Sequence, residues 1–254
     1  MKLLLGIPSA GTPADAFVAS VAGLRFPPVT AFERTIVTGN YIPAQRDLIV
    51  ERALEYGADV LMMCDDDMVL PPNAVIELCD ALESHADAAI AGALYYSRDG
   101  FRPMAVDDWN PADTRTAVVP AFDREPVTVH GVGFGCVAIR VEALRAFMPP
   151  YFAAHIFVER SAGRVRLCDE DYLFCARLRG AGWRVLLHPG VRCGHFDRQR
   201  GRVEPQAWEP PERTAQRRIA VLENGRYALV PARDIPASTP ESHIAAELNY
   251  VIVP

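Results

Sequence analysis

The stretch Val60-Leu61-Met62-Met63-Cys64-Asp65-Asp66-Asp67-Met68-Val69-Leu70-Pro71-Pro72 decides how the chain is read. An apolar run of strand length drives into three consecutive carboxylates, and a double proline without backbone N–H donors then forbids further ladder pairing. Three adjacent anions at the end of a buried strand repel one another, so a cation is expected beside them. Hard carboxylate oxygens suit Mg²⁺ or Mn²⁺, ions commonly shared with substrate phosphates. The plainer reading is a solvated acidic turn before a helix, with Asp67 or Asn73 as its cap.

Upstream of this stretch, Lys2 to Ile7 reads as a buried strand closed by the small-residue loop Pro8-Ser9-Ala10-Gly11-Thr12-Pro13, which can approach a ligand closely. A helix over Ala14–Leu24 and a strand over Val29–Thr38 follow. The turn Gly39-Asn40-Tyr41-Ile42-Pro43 leads into a helix from Ala44 to Tyr56, apolar at Leu48, Ile49, Ala53 and Tyr56 and ended by Gly57. Downstream, Asn73 to Ser84 forms a helix that buries Ala74, Val75, Leu78 and Leu82, and Ala88 to Leu94 forms another strand. This alternation predicts an α/β fold, with a mainly parallel central sheet flanked by helices and ligands at the carboxyl ends of its strands.

Beyond Tyr95 the pattern loosens into Pro-, Asp-, Arg- and Trp-rich sequence up to Glu125, read as short hairpins and loops that shape an acceptor site or only a variable surface. Trp109 in it offers a stacking face or packs on its own domain. In His130-Gly131-Val132-Gly133-Phe134-Gly135-Cys136, glycines alternate with side chains in a strand-like run, which suggests that a ligand or another backbone packs close. Val141–Phe147 reads as a short helix and Arg164–Leu167 as a strand leading into Asp169-Glu170-Asp171, the acidic start of a helix that runs to Arg179. One strand over Trp183–Leu187 and the end of the last core strand, Val191 to Phe196, precede the basic strip Arg198, Arg200 and Arg202. That strip reads as a loop closing over phosphates, as a solvated surface, or as a nucleic-acid contact.

With 254 residues, half of them hydrophobic, the chain suits one large domain plus a short appendage, divided here as 1–203 and a C-terminal extension 204–254. A net charge of −6 argues against a general affinity for nucleic acid. The six cysteines lack the paired spacings of a zinc ribbon or a disulfide framework and read as reduced thiols of a cytoplasmic protein. A zinc site drawn from Cys168, His188, Cys193 and His195 has no recognised chelating spacing. The amino-terminal apolar run is too short for a signal peptide, and no segment reaches membrane-spanning length. There is no Walker loop, no dinucleotide fingerprint and no nucleophile elbow, which weighs against kinases, dehydrogenases and α/β-hydrolases.

Taken together, Asp65-Asp66-Asp67 before Pro71-Pro72, Glu170-Asp171 with Arg177 and Gly182-Trp183, His195 after the last core strand, and Pro43, Gln45 and Arg46 resemble the family 2-like glycosyltransferases of the glycosyltransferase A-fold, over roughly residues 2–197. The resemblance implies a single A-type, Rossmann-like domain and a metal-dependent transfer of sugar from a UDP- or GDP-linked donor to a hydroxyl acceptor on a glycan, small molecule, protein or modified DNA base. It places Mn²⁺ or Mg²⁺ on Asp67 and His195, with Asp65 in reach of metal or donor. It places the donor against Pro8, Ser9, Ala10, Gln45, Arg46, Asp65, Asp66 and Arg198. Asp171 matches the family base, with Asp169 and Glu170 as neighbours that can replace it. A helix turns adjacent side chains by about 100°, so one of the three is expected to face the site. As base, Asp171 implies inversion at the anomeric carbon by direct displacement. Two other readings stand: a nucleotidyltransferase, which lacks here a basic triphosphate loop, and a catalytically inactive nucleotide-sugar-binding module. Oligomeric state is left open.

Overall fold

The computed structural model describes residues 1–29, 31–98, 100, 103–107, 116–117, 125–153, 155–159, 164–205, 218–223 and 226–231. The chain divides into two compact units, Met1–Gln206 and Ala207–Pro254. Trp109, most of the 108–124 segment and Tyr250–Val253 lie outside the described residues.

The first unit opens with β1 (Lys2–Ser9), α1 (Asp15–Ala22), β2 (Ala31–Thr38), α2 (Ile42–Tyr56) and β3 (Val60–Cys64). There follow β4 (Met68–Val69), α3 (Ala74–Ser84) and β5 (Ala88–Leu94). Short strands β6 (Ala105–Asp107), β7 (Thr116–Ala117), β8 (Val127–Val129) and β9 (Gly131–Val132) lead to β10 (Cys136–Arg140) and the single turn α4 (Val141–Leu144). The hairpin β11 (His155–Glu159) and β12 (Arg164–Cys168) delivers α5 (Glu170–Gly180), and β13 (Arg184–Arg192), β14 (Gly194–Asp197) and β15 (Arg202–Glu204) close the unit. In the second unit β16 (Arg218–Glu223) and β17 (Arg226–Pro231) form an antiparallel hairpin.

The central sheet has seven strands in the order β2-β1-β3-β10-β5-β13-β8. β2, β1, β3, β5 and β13 run in one direction, while β10 and β8 oppose them. The expected mainly parallel sheet is therefore present, and strand alternation covers both its faces. Leu3, Leu5 and Ile7 join Phe17, Val75 and Leu78 in one core, whereas Gly6, on the other face of β1, lies directly under Ile49 of α2. Every residue of β3 and β5 is buried, as befits continuous apolar strands of a covered parallel sheet.

Local signals account for the helix ends. Pro43 sits in the first turn of α2, where its missing N–H leaves no bond unmade, so the helix begins two residues before the expected Ala44. Gly57 ends it at φ 67°, donating its N–H back to the carbonyls of Ala53 and Leu54.

Two expectations are corrected. β13 runs unbroken from Arg184 to Arg192 through Pro189, whose lost ladder bond is absorbed by a register shift between His188 and Arg192. That irregularity turns the chain out of the core sheet, so the segment ending in His195 and Phe196 belongs to a three-stranded side sheet, β15-β14-β4, instead of the core. The glycine-rich run 131–135 is also filled differently. A side chain, Tyr95, takes the room at Gly135, where a Cβ would stand 2.8 Å from its ring and 2.9 Å from Met68 Sδ.

Candidate active site

The parallel strands present their carboxyl ends at one edge, and the expected groups gather there. β1 ends in Ser9, β3 runs into Asp65, and β5 continues through Tyr95 to Arg98. β10 opposes these strands, so the turn before it brings Phe134 and Gly135 to the same edge. The Asp65 N–H donates to the Gly135 carbonyl at 3.1 Å, and the Gly135 N–H donates to Tyr95 Oη at 3.0 Å.

Arg46 is the hub of the first cluster. It is 3% exposed, and its guanidinium donates through Nη1 to Glu170 Oε1 at 2.9 Å and to Asp171 Oδ1, and through Nη2 to Asp65 Oδ1 at 3.2 Å. Its plane lies near the rings of Phe134 and Phe152, with centroids 5.5 and 5.8 Å away. Burial alone lowers the pKa of the guanidinium, but Asp171, Asp65 and Glu170 more than offset it and hold the group charged. Expected at the donor, Arg46 is thus committed to carboxylates on two separate elements. Both Glu170 and Asp171 reach it, where one acidic residue of three was expected to face the site, because Nη1 carries two N–H donors and meets one carboxylate oxygen from each of these adjacent residues of the first helical turn. Asp169 occupies the N-cap position of α5 without capping the helix through its side chain.

Asp171 is held at both oxygens, Oδ1 by Arg46 and Oδ2 by the Phe134 N–H at 3.0 Å. Burial pushes its carboxyl up to about 7, reinforced by the neighbouring Glu170 and Asp65 and opposed by Arg46. A carboxyl tuned there can take a proton near neutral pH. Burial also raises Asp65, against the pull of Arg46.

The second cluster is built by backbone pairing. β4 starts immediately after Asp67 and pairs with β14 so that Met68 faces His195, and the Phe196 N–H donates to the Asp67 carbonyl at 2.7 Å. This brings His195 Nε2 to 3.5 Å from Asp67 Oδ2. His195 Nδ1 lies 2.9 Å from the Tyr96 carbonyl. A carbonyl only accepts, so Nδ1 donates to it and Nε2 is the ring nitrogen turned towards the carboxylate. A histidine that turns one nitrogen to a carboxylate, with the far nitrogen anchored by a backbone carbonyl, has the outer support seen around metal-bound histidines. Asp67 and His195 therefore fit a hard divalent cation that takes its remaining ligands from phosphate and water.

Asp65 does not join that pair, since its carboxylate lies on Arg46, and among the described residues no three His, Cys, Asp or Glu side chains form a preformed metal cage. The zinc arrangement likewise fails to assemble: Cys193 is buried in the core, and His195 turns to Asp67. Cys64, Cys79, Cys136, Cys175 and Cys193 are all unpaired and buried.

Each aspartate of the triplet has its own arginine. Asp67 Oδ2 accepts from Arg98 Nη2 at 2.7 Å and Nε at 3.1 Å, and together with His195 this outweighs burial and draws its carboxyl below the ordinary value. Asp66 accepts from Ser9 Oγ at 2.6 Å and from Arg198 Nη2 at 3.2 Å. Ser97, Arg98, Asp197, Arg198, Gln199 and Arg200 line a cavity of about 510 Å³ beside these pairs. Of the expected donor loop, Pro8 is buried, Ser9 is used on Asp66, and Ala10 is exposed. Gln45 ties the ends of β1 and β2 together, its Nε2 donating to the Ser9 and Val37 carbonyls at 2.7 and 2.8 Å, and its buried Oε1 has no partner among the described residues.

Sequence reasoning missed Arg98, Tyr95, Tyr96 and the Phe134 N–H. The first three follow directly on the carboxyl end of a buried parallel strand, which is the position where site groups are expected.

The model of a family described as "Glycosyltransferase like family 2" matches residues 42–219. Among solved structures, A197 from STIV superposes with a TM-score of 0.55 at 18% identity, covering 96% of this chain and 100% of that one. GalNAc-T7, whose crystal structure holds UDP, GalNAc and Mn²⁺, superposes with a TM-score of 0.53 at 13% identity, covering 77% of this chain and 44% of that one. At these identities the likeness is one of fold. Comparison with curated protein sequences gives no match.

Proposed function

The chain belongs to the glycosyltransferase-like family 2, and on that premise we propose that it moves a glycosyl group from a UDP- or GDP-linked donor to an acceptor hydroxyl, with inversion. The observation that carries this reading is the shared edge of two clusters with opposite tasks. Asp171, held by Arg46 and the Phe134 N–H, is suited to receive a proton. Asp67 and His195 are suited to hold Mn²⁺ or Mg²⁺.

In the proposed reaction Asp171 takes the proton of the acceptor hydroxyl as its oxygen bonds to the anomeric carbon. The bond from that carbon to the phosphate oxygen breaks on the opposite side, and its electron pair leaves with the nucleoside diphosphate. The bound cation would supply charge neutralisation to that leaving group. Arg46 keeps the Asp171 carboxylate oriented and stops Asp65 and Glu170 from crowding it. Arg198, 40% exposed, would reach the diphosphate from the loop after β14. Among the described residues no helix is long and apolar enough to cross a membrane. Five buried, unpaired thiols suit a reducing, cytoplasmic setting.

The test is release of nucleotide from a panel of UDP-, GDP-, dTDP- and CMP-sugars with Mn²⁺ or Mg²⁺. Release from one donor, abolished by EDTA and by Asp67→Ala, is expected. Subsequent acceptor trials would span glycans, small alcohols, proteins and hydroxymethylated DNA, with the anomeric configuration of the product read by NMR. Metal-dependent binding without turnover on any acceptor would favour an inactive module, and absence of binding to every donor would overturn the proposal.

A further inference from the structure

The three arginines on the aspartate triplet differ in one respect. Arg46, on Asp65, is 3% exposed, Arg198, on Asp66, is 40% exposed, and Arg98, on Asp67, is 65% exposed. Arg46 is fixed inside the domain, whereas Arg98 rests on a nearly buried carboxylate, 4% exposed, with most of its own side chain in solvent. Both its contacts, Nε and Nη2, go to Asp67 Oδ2, the same oxygen that faces His195 Nε2. The guanidinium therefore stands where a cation shared by Asp67 and His195 would draw its charge from. A buried carboxylate needs a counter-charge at all times, so whatever cation arrives there must take the place of one already present.

Resting on the metal-dependent reading above, we propose that Arg98 is the exchangeable counter-cation of Asp67: it yields this carboxylate to a divalent ion and then closes on the substrate diphosphate together with Arg198 and Arg200. The released side chain has somewhere to go. Arg98, Arg198 and Arg200 line one cavity of about 510 Å³, bounded by the loops after β5 and β14. The Asp197 carboxylate shapes the second loop by accepting the backbone N–H groups of Gln199 and Arg200 at 2.9 and 3.2 Å. A planar fork suits phosphate oxygens as well as a carboxylate. The exchange keeps the Asp67 carboxylate neutralised in both states and arms the phosphate clamp only once the cation is in place.

The experiment measures Mn²⁺ affinity of the full chain without nucleotide, from the electron paramagnetic resonance signal of the free ion. Arg98→Ala is expected to bind Mn²⁺ about threefold to tenfold more tightly than the parent, because the competing hydrogen-bonded charge is gone. Arg98→Gln, which keeps the stem and loses the charge, should shift in the same direction. Asp67→Asn is expected to weaken Mn²⁺ by about tenfold or more. Arg202→Ala removes a charge paired to Glu204 on the same side sheet and should leave Mn²⁺ affinity unchanged, which separates contact competition from the general field. In Mn²⁺-saturated protein, Arg98→Ala should bind inorganic pyrophosphate about tenfold more weakly. If Arg98→Ala and Arg98→Gln bind Mn²⁺ no better than the parent while Asp67→Asn loses it, the exchange is wrong and the metal site stands. Tighter Mn²⁺ with unchanged pyrophosphate affinity overturns the clamp. Mn²⁺ binding indifferent to Asp67→Asn overturns the metal site and the exchange together.

Discussion

Asp171 and Arg46 show how one buried guanidinium can set the chemistry of several carboxylates. Removing it as Arg46→Ala leaves Asp65, Glu170 and Asp171 without their shared partner, and a loss of about 3–5 kcal/mol in denaturant unfolding is expected. Arg46→Lys should recover only part of it, since a point charge cannot reach three carboxylates at once. Asp171→Asn keeps the hydrogen-bonding shape and loses the proposed base. Turnover should fall by about 100-fold or more while donor affinity stays within about threefold, which separates proton transfer from binding. Activity of the parent should rise with pH through about 7, because the base works only when deprotonated. Stability runs the other way. The folded pKa of Asp171 lies above the unfolded value of about 3.9, so the advantage of the neutral carboxyl is full below pH 4 or so and is lost as pH rises through about 7. Melting temperatures of the parent and Asp171→Asn should therefore diverge between about pH 4 and 7 in favour of the variant, and parallel curves across that range would contradict the raised pKa.

Among the elements, the short β4–β14 pairing matters more for the site than its length suggests. It starts one residue past Asp67 and fixes His195 beside it, although the two residues lie far apart along the chain. Both acidic segments and the histidine were legible in the sequence, because an apolar strand ending in carboxylates and an acidic helix start are local patterns. The side sheet was not: two residues of β4 carry no periodicity, and the turn out of β13 arises from a bulge at Pro189. The glycine run was legible as a place of close approach, but which atoms approach is a tertiary matter, and Tyr95 fills it at Gly135. Gly135→Ala should force the Tyr95 ring and Met68 apart, at about 1–3 kcal/mol in denaturant unfolding. Tyr95→Phe should cost about 1–3 kcal/mol by leaving the buried Gly135 N–H without its acceptor. Because the two share one contact, the double variant should lose less than the sum, which a double-mutant cycle measures.

At the scale of the whole molecule, all site groups named above fall within Met1–Gln206, and Ala207–Pro254 forms a separate compact unit. A chain ending at Gln206 is expected to unfold in one cooperative transition and to keep the Mn²⁺ affinity of the full chain. A broad, non-cooperative melt would show that the first unit is incomplete without the second. The sequence by itself determined the α/β class, the mainly parallel sheet and the edge at which the site lies, because hydrophobic period and strand–helix alternation are local and repeat many times along the chain. It also marked Asp67, His195 and Asp171, whose residue types suit the proposed chemistry. Only the tertiary structure decided the pairing of charges: Arg46 with Asp65, Glu170 and Asp171, Arg198 with Asp66, and Arg98 with Asp67. Ion pairing depends on where side chains converge in space, and sequence spacing carries no record of a contact made between residues 19 to 132 positions apart.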